Sequence, residues 1–292
     1  MSGSLLDDVN KLLEELGKWE LAKKNYENLE QVKEKVFEVN GCIYKVQCNL
    51  ARIAPATQTN NNPMNKDDKQ PNCFLCSNQR PKEQKRVPFK DYGIQINPFP
   101  IFPKHLTIPS NKHEPQLIAS NNFARFDDML DLAQQLDGFA VFYNGPKAGA
   151  SVPSHFHFQA GNKDLFPIVN GDKEKWKYAI RIESKDKDGE KGMIKLFKAK
   201  YNSFSKEPDE NEPMMNILTW YEKEKGQWTT CIFRRKKFRP ACYDSLKEDK
   251  LLITPASVEM SGIFIAKRIE DFEKITKKDI ADILNEVAEI QA

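Results

Sequence analysis

With 292 residues and 39% hydrophobic side chains, the chain is long enough to bury a sizeable core, as one large domain or as two smaller ones. Lys and Arg total 45 against 42 Asp and Glu, and a net charge of +3 is too balanced to make nucleic acid or an anionic membrane the main partner. No run approaches the ~20 apolar residues of a membrane span, and M-S-G-S-L-L-D-D lacks the basic start and apolar stretch of a signal peptide, so a cytoplasmic protein without a membrane partner is expected.

Apolar residues recur at helical spacing at Leu5, Val9, Leu12 and Leu16, and again at Tyr26, Leu29, Val32 and Val36. The pattern predicts two amphipathic helices with a break at Gly17. F-E-V-N-G-C-I-Y-K-V then sets two alternating runs around Asn40-Gly41, a dipeptide suited to the positive φ angles of a tight hairpin. Residues 1–53 therefore read as N-terminal helices and a hairpin. Residues 54–70, almost without apolar side chains, read as a mobile linker.

Six cysteines in a long intracellular chain do not read as a disulfide framework. Cys73 and Cys76, three positions apart, can grip one metal ion from a tight turn, although the same spacing also serves redox sites. From Tyr92 to Pro109 the sequence predicts two short strands flanking a proline-stiffened connection. His105 stands beside the second, where a histidine is commonly a satisfied core residue. Phe123 to Leu136 has helical spacing and stops at Asp137-Gly138, and Phe139 to Tyr143 is read as a strand.

That strand feeds the stretch on which the chemistry turns, Y-N-G-P-K-A-G-A-S-V-P-S-H-F-H-F-Q-A-G from Tyr143 to Gly161. In an extended strand His155, His157 and Gln159 share one face, and Phe156, Phe158 and Ala160 the other. One face packs while the other can react. Gly145 and Gly149 let the preceding loop approach a ligand closely and offer N–H groups to phosphate oxygens, and Asn144 and Ser151 add side-chain donors.

Beyond Gly161 the histidines stop, yet the element order is echoed: strands at Trp176 to Ile182 and Met193 to Phe197, a hairpin from Asn216 to Arg234 turning at Lys225-Gly226, then a strand, a connector and a helix from Thr276 within Gly262 to Glu289. A degenerate duplication is expected, with residues 71–170 as the catalytic half and 171–292 as its echo. The basic run Arg234 to Arg239 reads either as a solvated strand end or as a source of contacts to a substrate phosphate.

The motif H-F-H-F-Q, with G-A-S-V-P before it, resembles the histidine-triad superfamily in its His-x-His-x-Gln branch. That branch contains galactose-1-phosphate uridylyltransferases, diadenosine tetraphosphate phosphorylases and GDP-L-galactose phosphorylases. The chain as a whole is similar to a bacterial, Bacteroides-type family of unknown function. The resemblance implies an α+β fold, a histidine-triad-like antiparallel sheet with flanking helices. It also implies a nucleotidyl-histidine on His157, aided by Gln159 and His155, with Asn97 near a ribose and His105 supporting the site.

N-C-F-L-C-S-N-Q-R is similar to the zinc-site region of the uridylyltransferases, which matches Cys73, Cys76, His113 and His155 to a structural zinc site. Reduced, metal-free cysteines remain the alternative. The expected substrates are a nucleotide-sugar or a dinucleotide, with phosphate or a sugar phosphate as acceptor. No organic cofactor is expected, and relatives often form dimers. A non-catalytic, zinc-stabilised nucleotide-binding module is the other reading. One residue more separates Ser151 from His155 than in the better-studied relatives.

Overall fold

The computed structural model describes residues 3–49, 73–208 and 210–291. The expected linker at 54–70 lies outside the described residues. Helix α1 (Leu5–Glu14) opens on a capping box in which Ser4 and Asp7 satisfy each other's backbone N–H groups. A 3-10 turn over Glu15–Lys18 makes the expected break at Gly17, and α2 (Glu20–Glu27) follows. The chain does not continue as helix to Val36. Lys33–Val39 is strand β1, paired antiparallel with β2 (Cys42–Cys48) across Asn40 and Gly41, both at positive φ. Val32 and Val36 fit a four-residue spacing, but cross-strand pairing overrides it and leaves Val36 exposed.

Strands β3 (Val87–Phe89), β4 (Tyr92–Ile96) and β5 (Leu106–Pro109) precede helix α3 (Ser120–Gln135). Asn121, Asn122 and Phe123 have left-handed backbones, so the regular right-handed helix begins just after them. Next come β6 (Phe139–Asn144), β7 (His157–Asn162), β8 (Ile180–Ser184), helix α4 (Met193–Asn202), β9 (Met215–Glu222) and β10 (Gln227–Arg234). Two corrections fall here. Trp176 is a buried side chain ahead of β8, which starts only at Ile180. Met193–Phe197 is helical, because Met193, Phe197 and Tyr201 recur every four residues and the Phe197 ring stacks on Phe126 of α3 at 3.8 Å. Helix α5 (Ser257–Met260), strand β11 (Ile263–Ile265), α6 (Ile269–Lys274) and α7 (Lys277–Val287), capped by Thr276, complete the chain.

The large sheet has the order β3-β4-β5-β7-β6-β9-β10-β8, antiparallel throughout. Its order explains the echo in the sequence: β5-α3-β6-β7 and β8-α4-β9-β10 repeat one unit, and their strands mirror each other across the β6–β9 pair. The architecture is α+β, an antiparallel sheet with flanking helices. On one face Phe156, Phe158, Tyr143 and Phe126 form an apolar core with α3 and α4. On the other, a second core reaches β1, β2 and β11, where N-terminal β2 pairs parallel with β11. No helix among the described residues is long and apolar enough to cross a membrane.

Candidate active site and metal centre

β7 is a central strand, between β5 and β6, and its register sets the site. Phe158 and Ala160 are buried in the aromatic core, so period two turns His157 and Gln159 to the opposite face. His155 stands two residues upstream, where Phe156 N–H bonds to Glu114 O at 2.7 Å and Ser110 N–H to Phe156 O at 2.9 Å.

His155 Nε2 lies 2.9 Å from the Ser110 carbonyl, an acceptor only, so Nε2 carries the proton and Nδ1 a free lone pair. That lone pair faces sulfur: Nδ1 is 3.3 Å from Cys73 Sγ and 3.5 Å from Cys76 Sγ, and His113 Nδ1 is 3.3 Å from Cys76 Sγ. All four ligand atoms lie within 4.8 Å of one another, and the 3.3–3.5 Å nitrogen–sulfur separations match the ~3.3–3.8 Å edges of a tetrahedral site with bonds of ~2.0–2.3 Å. The Cys76 thiol is pushed up by burial and by the adjacent Cys73, so a thiolate pair there calls for a cation. The residues fit a closed, two-sulfur, two-nitrogen metal site. The Ser110 carbonyl is its outer support.

His157 is oriented by its own strand. Nδ1 is 2.8 Å from the His155 carbonyl and donates to it, which leaves Nε2 unprotonated. Burial pushes its pKa down to about 4, so the ring is neutral at neutral pH. Ser151 Oγ lies 3.4 Å from Nε2. The additional residue of V-P-S is absorbed in a turn closed by His155 N–H to Val152 O at 3.1 Å, so Ser151 still reaches the histidine.

The glycine loop is braced from within. Gly145 N–H donates to Met215 O, and Ala148 and Ala150 N–H donate to Gly145 O, so these three groups are spent. Gly149, Ser151 and Val152 N–H bond no partner among the described residues and remain for a ligand. Gly145 must be glycine because a Cβ there would stand 2.8 Å from Met215 O, and Gly149 has φ +99. Asn144 is held hard: its Oδ1 accepts from Asn216 Nδ2 (2.9 Å) and from Ser257 N (2.9 Å) and Oγ (2.7 Å).

Gln159 and His105 form a pair. His105 Nδ1 accepts from Ile101 N–H at 3.2 Å, so Nε2–H donates to Gln159 Oε1 at 2.9 Å and leaves the Gln159 amide N–H groups to a ligand. His105 is buried, and its bond to Oε1 fixes the orientation of the Gln159 amide. Asn97 bonds through its backbone to His105, and its Oδ1 is occupied by Phe99 N–H at 2.9 Å; among the described residues no hydrogen bond joins it to His157.

Several supporting residues escape any sequence pattern. Gln116 clamps β7 on both sides of one residue, accepting from His157 N–H at 2.7 Å and donating to His157 O at 2.9 Å and Asn144 O at 3.1 Å. Behind it, Tyr143 Oη lies 2.9 Å from Gln116 O and 2.5 Å from Oε1 of the buried Glu212. Arg235, inside the basic run, is buried and donates to Asn216 Oδ1 at 2.7 Å, so it supports the glycine loop through Asn216. Arg234 and Lys237 pair with Glu289 and Glu286 instead.

A family model described as a domain of unknown function (DUF4922) matches residues 12–162. Galactose-1-phosphate uridylyltransferase of Staphylococcus saprophyticus is 34% identical over 83 residues, 28% of this chain and 16% of that protein. Galactose-1-phosphate uridylyltransferase 1 of Streptococcus pneumoniae serotype 4 is 31% identical over 107 residues, 36% and 20% respectively. The chain thus matches only about a fifth or less of the length of these curated relatives. The structure of yeast Ap4A phosphorylase Apa2 superposes with a TM-score of 0.57 at 14% identity, over 94% of this chain and 97% of that one. Its complex with AMP gives the same score at 15% identity, over 100% and 99%. These superpositions place the fold with that of yeast Ap4A phosphorylase.

Proposed function

This chain belongs to the DUF4922 family, and from that premise we propose that it is a nucleotidyltransferase working through a covalent nucleotidyl group on His157. It takes a nucleoside monophosphate from a nucleoside-diphosphate sugar, a GDP- or UDP-hexose, and passes it to phosphate or a sugar phosphate. The observation that carries the reading is the tautomer of His157. Its Nδ1 proton is committed to the His155 carbonyl, and its unprotonated Nε2 lies 3.4 Å from Ser151 Oγ at the end of the glycine loop.

In the first displacement Nε2 attacks the α-phosphorus in line, the bond to the bridging oxygen breaks and the sugar 1-phosphate leaves. The N–H groups of Gly149, Ser151 and Val152, with the Gln159 amide, donate to the non-bridging oxygens. Gln159 cannot protonate a leaving group, which suits a phosphate that needs no proton to depart. In the second displacement a phosphate oxygen attacks the same phosphorus and His157 recovers its lone pair.

Cys73, Cys76, His113 and His155 would hold zinc, which supplies structural support to the strand bearing His157 and no reacting group. A dinucleoside polyphosphate is the second donor to consider, since it also has a phosphate leaving group. The direct test is phosphorus NMR of the protein with inorganic phosphate and, in turn, GDP-, UDP- and ADP-hexoses and diadenosine tetraphosphate. Release of hexose 1-phosphate with a nucleoside diphosphate supports the proposal. Turnover of diadenosine tetraphosphate alone selects the second donor, and turnover of none, with inorganic phosphate or with a hexose 1-phosphate as acceptor, removes the enzymatic reading.

A further inference from the structure

We propose that Arg239 is the phosphate-binding residue of the acceptor subsite, holding the phosphate monoester that attacks the nucleotidyl-histidine; this deepens, and rests on, the reading of the site given above. The segment that carries it is fixed rather than loose. Arg235 donates from Nη2 to Lys237 O and Phe238 O, both at 3.1 Å, and from Nη1 to Pro255 O at 2.8 Å as well as to Asn216. Asn216 in turn donates to Ala148 O at 2.7 Å, so one buried guanidinium ties this segment to the glycine loop. The Phe238 ring comes 3.9 Å from where a Cβ on Gly149 would stand.

Arg239 then lies over two rings, its guanidinium carbon 4.8 Å from the Phe238 centroid and 4.0 Å from that of Tyr243. Among the described residues it has no hydrogen bond and no ion pair, and its Nε is buried without a partner. Its neighbours differ: Arg234 and Lys237 are paired with carboxylates, and Lys236 bonds Asn285 O. A guanidinium held flat by aromatic rings, with its donor fork unspent, is suited to bidentate capture of a phosphate.

The position selects which phosphate. The nucleotidyl phosphorus must sit against His157 Nε2 and Ser151, whereas Arg239 stacks on Phe238, the ring that borders Gly149 of the same loop. In the second displacement an oxygen of the Arg239-bound phosphate forms the new P–O bond, the P–N bond to His157 breaks with its electron pair returning to Nε2, and the acceptor leaves as the β-phosphate of the product. By reversibility the sugar 1-phosphate released in the first displacement departs from the same place.

Calorimetric titration of wild type, Arg239→Gln and His157→Ala with inorganic phosphate, a hexose 1-phosphate and a nucleoside monophosphate tests this without requiring turnover. Arg239→Gln is expected to weaken binding of at least one of the first two about tenfold or more, to leave the nucleoside monophosphate within about twofold, and to keep the melting temperature. Whichever of the two ligands is weakened more identifies the acceptor. His157→Ala is expected to bind them as wild type does, so the inference stands or falls apart from covalent transfer. Equal phosphate and hexose 1-phosphate affinities in wild type and Arg239→Gln would overturn it, as would no binding of either by wild type or a parallel loss of the nucleoside monophosphate.

Discussion

Glu212→Gln should flatten the stability of this protein against pH. The Tyr143 hydroxyl has one proton and two acceptors in reach, Gln116 O at 2.9 Å and Glu212 Oε1 at 2.5 Å. The hydrogen-bond count closes when Tyr143 donates to Gln116 and Glu212 carries its own proton, donating it to Tyr143 Oη, while Oε2 accepts from Ile118 N–H at 2.9 Å. Burial pushes Glu212 from 4.5 up to about 8, which agrees with a neutral acid. Such a group keeps its proton when the unfolded chain has lost it. Its contribution is therefore complete below about pH 4.5, declines as pH rises toward about 8, and is constant beyond.

The interval between 4.5 and about 8 corresponds to about 5 kcal/mol lost by the wild type. Glutamine in this place can donate to Tyr143 and accept from Ile118 and does not titrate. Urea unfolding of both proteins at pH 5 and pH 8 isolates the effect, because all other titrations cancel in the difference. The variant should gain several kcal/mol on wild type between the two pH values. Parallel pH dependence in the two proteins would refute a buried neutral Glu212.

Gln116→Ala leaves His157 N–H, His157 C=O and Asn144 C=O without their partner, and at about 1–3 kcal/mol for each buried unsatisfied group it should cost at least about 3 kcal/mol in denaturant unfolding. Gly149→Ala combines φ +99 with a Cβ 2.8 Å from that of Ala256, so a loss of about 1–3 kcal/mol in thermal unfolding should accompany slower transfer; an unchanged melt would show that the loop relaxes freely. Metal analysis should find one zinc per chain, and chelation or Cys73→Ser should lower the melting temperature; a metal-free protein with an unaltered melt would remove the structural role from this site.

Local pattern reveals what local geometry decides. The two-residue period assigns His157 and Gln159 to one face because β7 is packed on its other face, and Asn40-Gly41 marks its hairpin because both residues take positive φ. Two thiols three positions apart likewise mark the turn that gathers with His113 and His155. Met193–Phe197 misleads because five residues cannot separate a strand from a helix that runs on to Asn202.

The supports of the site are the least legible part. Gln116 acts on His157 41 residues away, Asn216 on Asn144 72 away and Ser257 on Asn144 113 away, and none sits in a repeating pattern. The mirrored sheet explains why they come from afar: β6 and β9 pair at its centre, so the second half stands directly behind the glycine loop of the first. The basic run divides in the same way. Arg235 is internal and Arg234 and Lys237 are surface pairs, a distinction that burial decides and charge pattern does not.

Covalent transfer is most directly tested by intact mass under non-acidic conditions, which preserve a phosphoramidate, after incubation with GDP-, UDP- and ADP-hexoses and dinucleoside polyphosphates in turn. The account predicts a gain of one nucleoside monophosphate with one class of donor, discharged by phosphate or a sugar phosphate and absent in His157→Ala. An adduct that survives in His157→Ala, or nucleotide binding with no adduct from any donor, would contradict it.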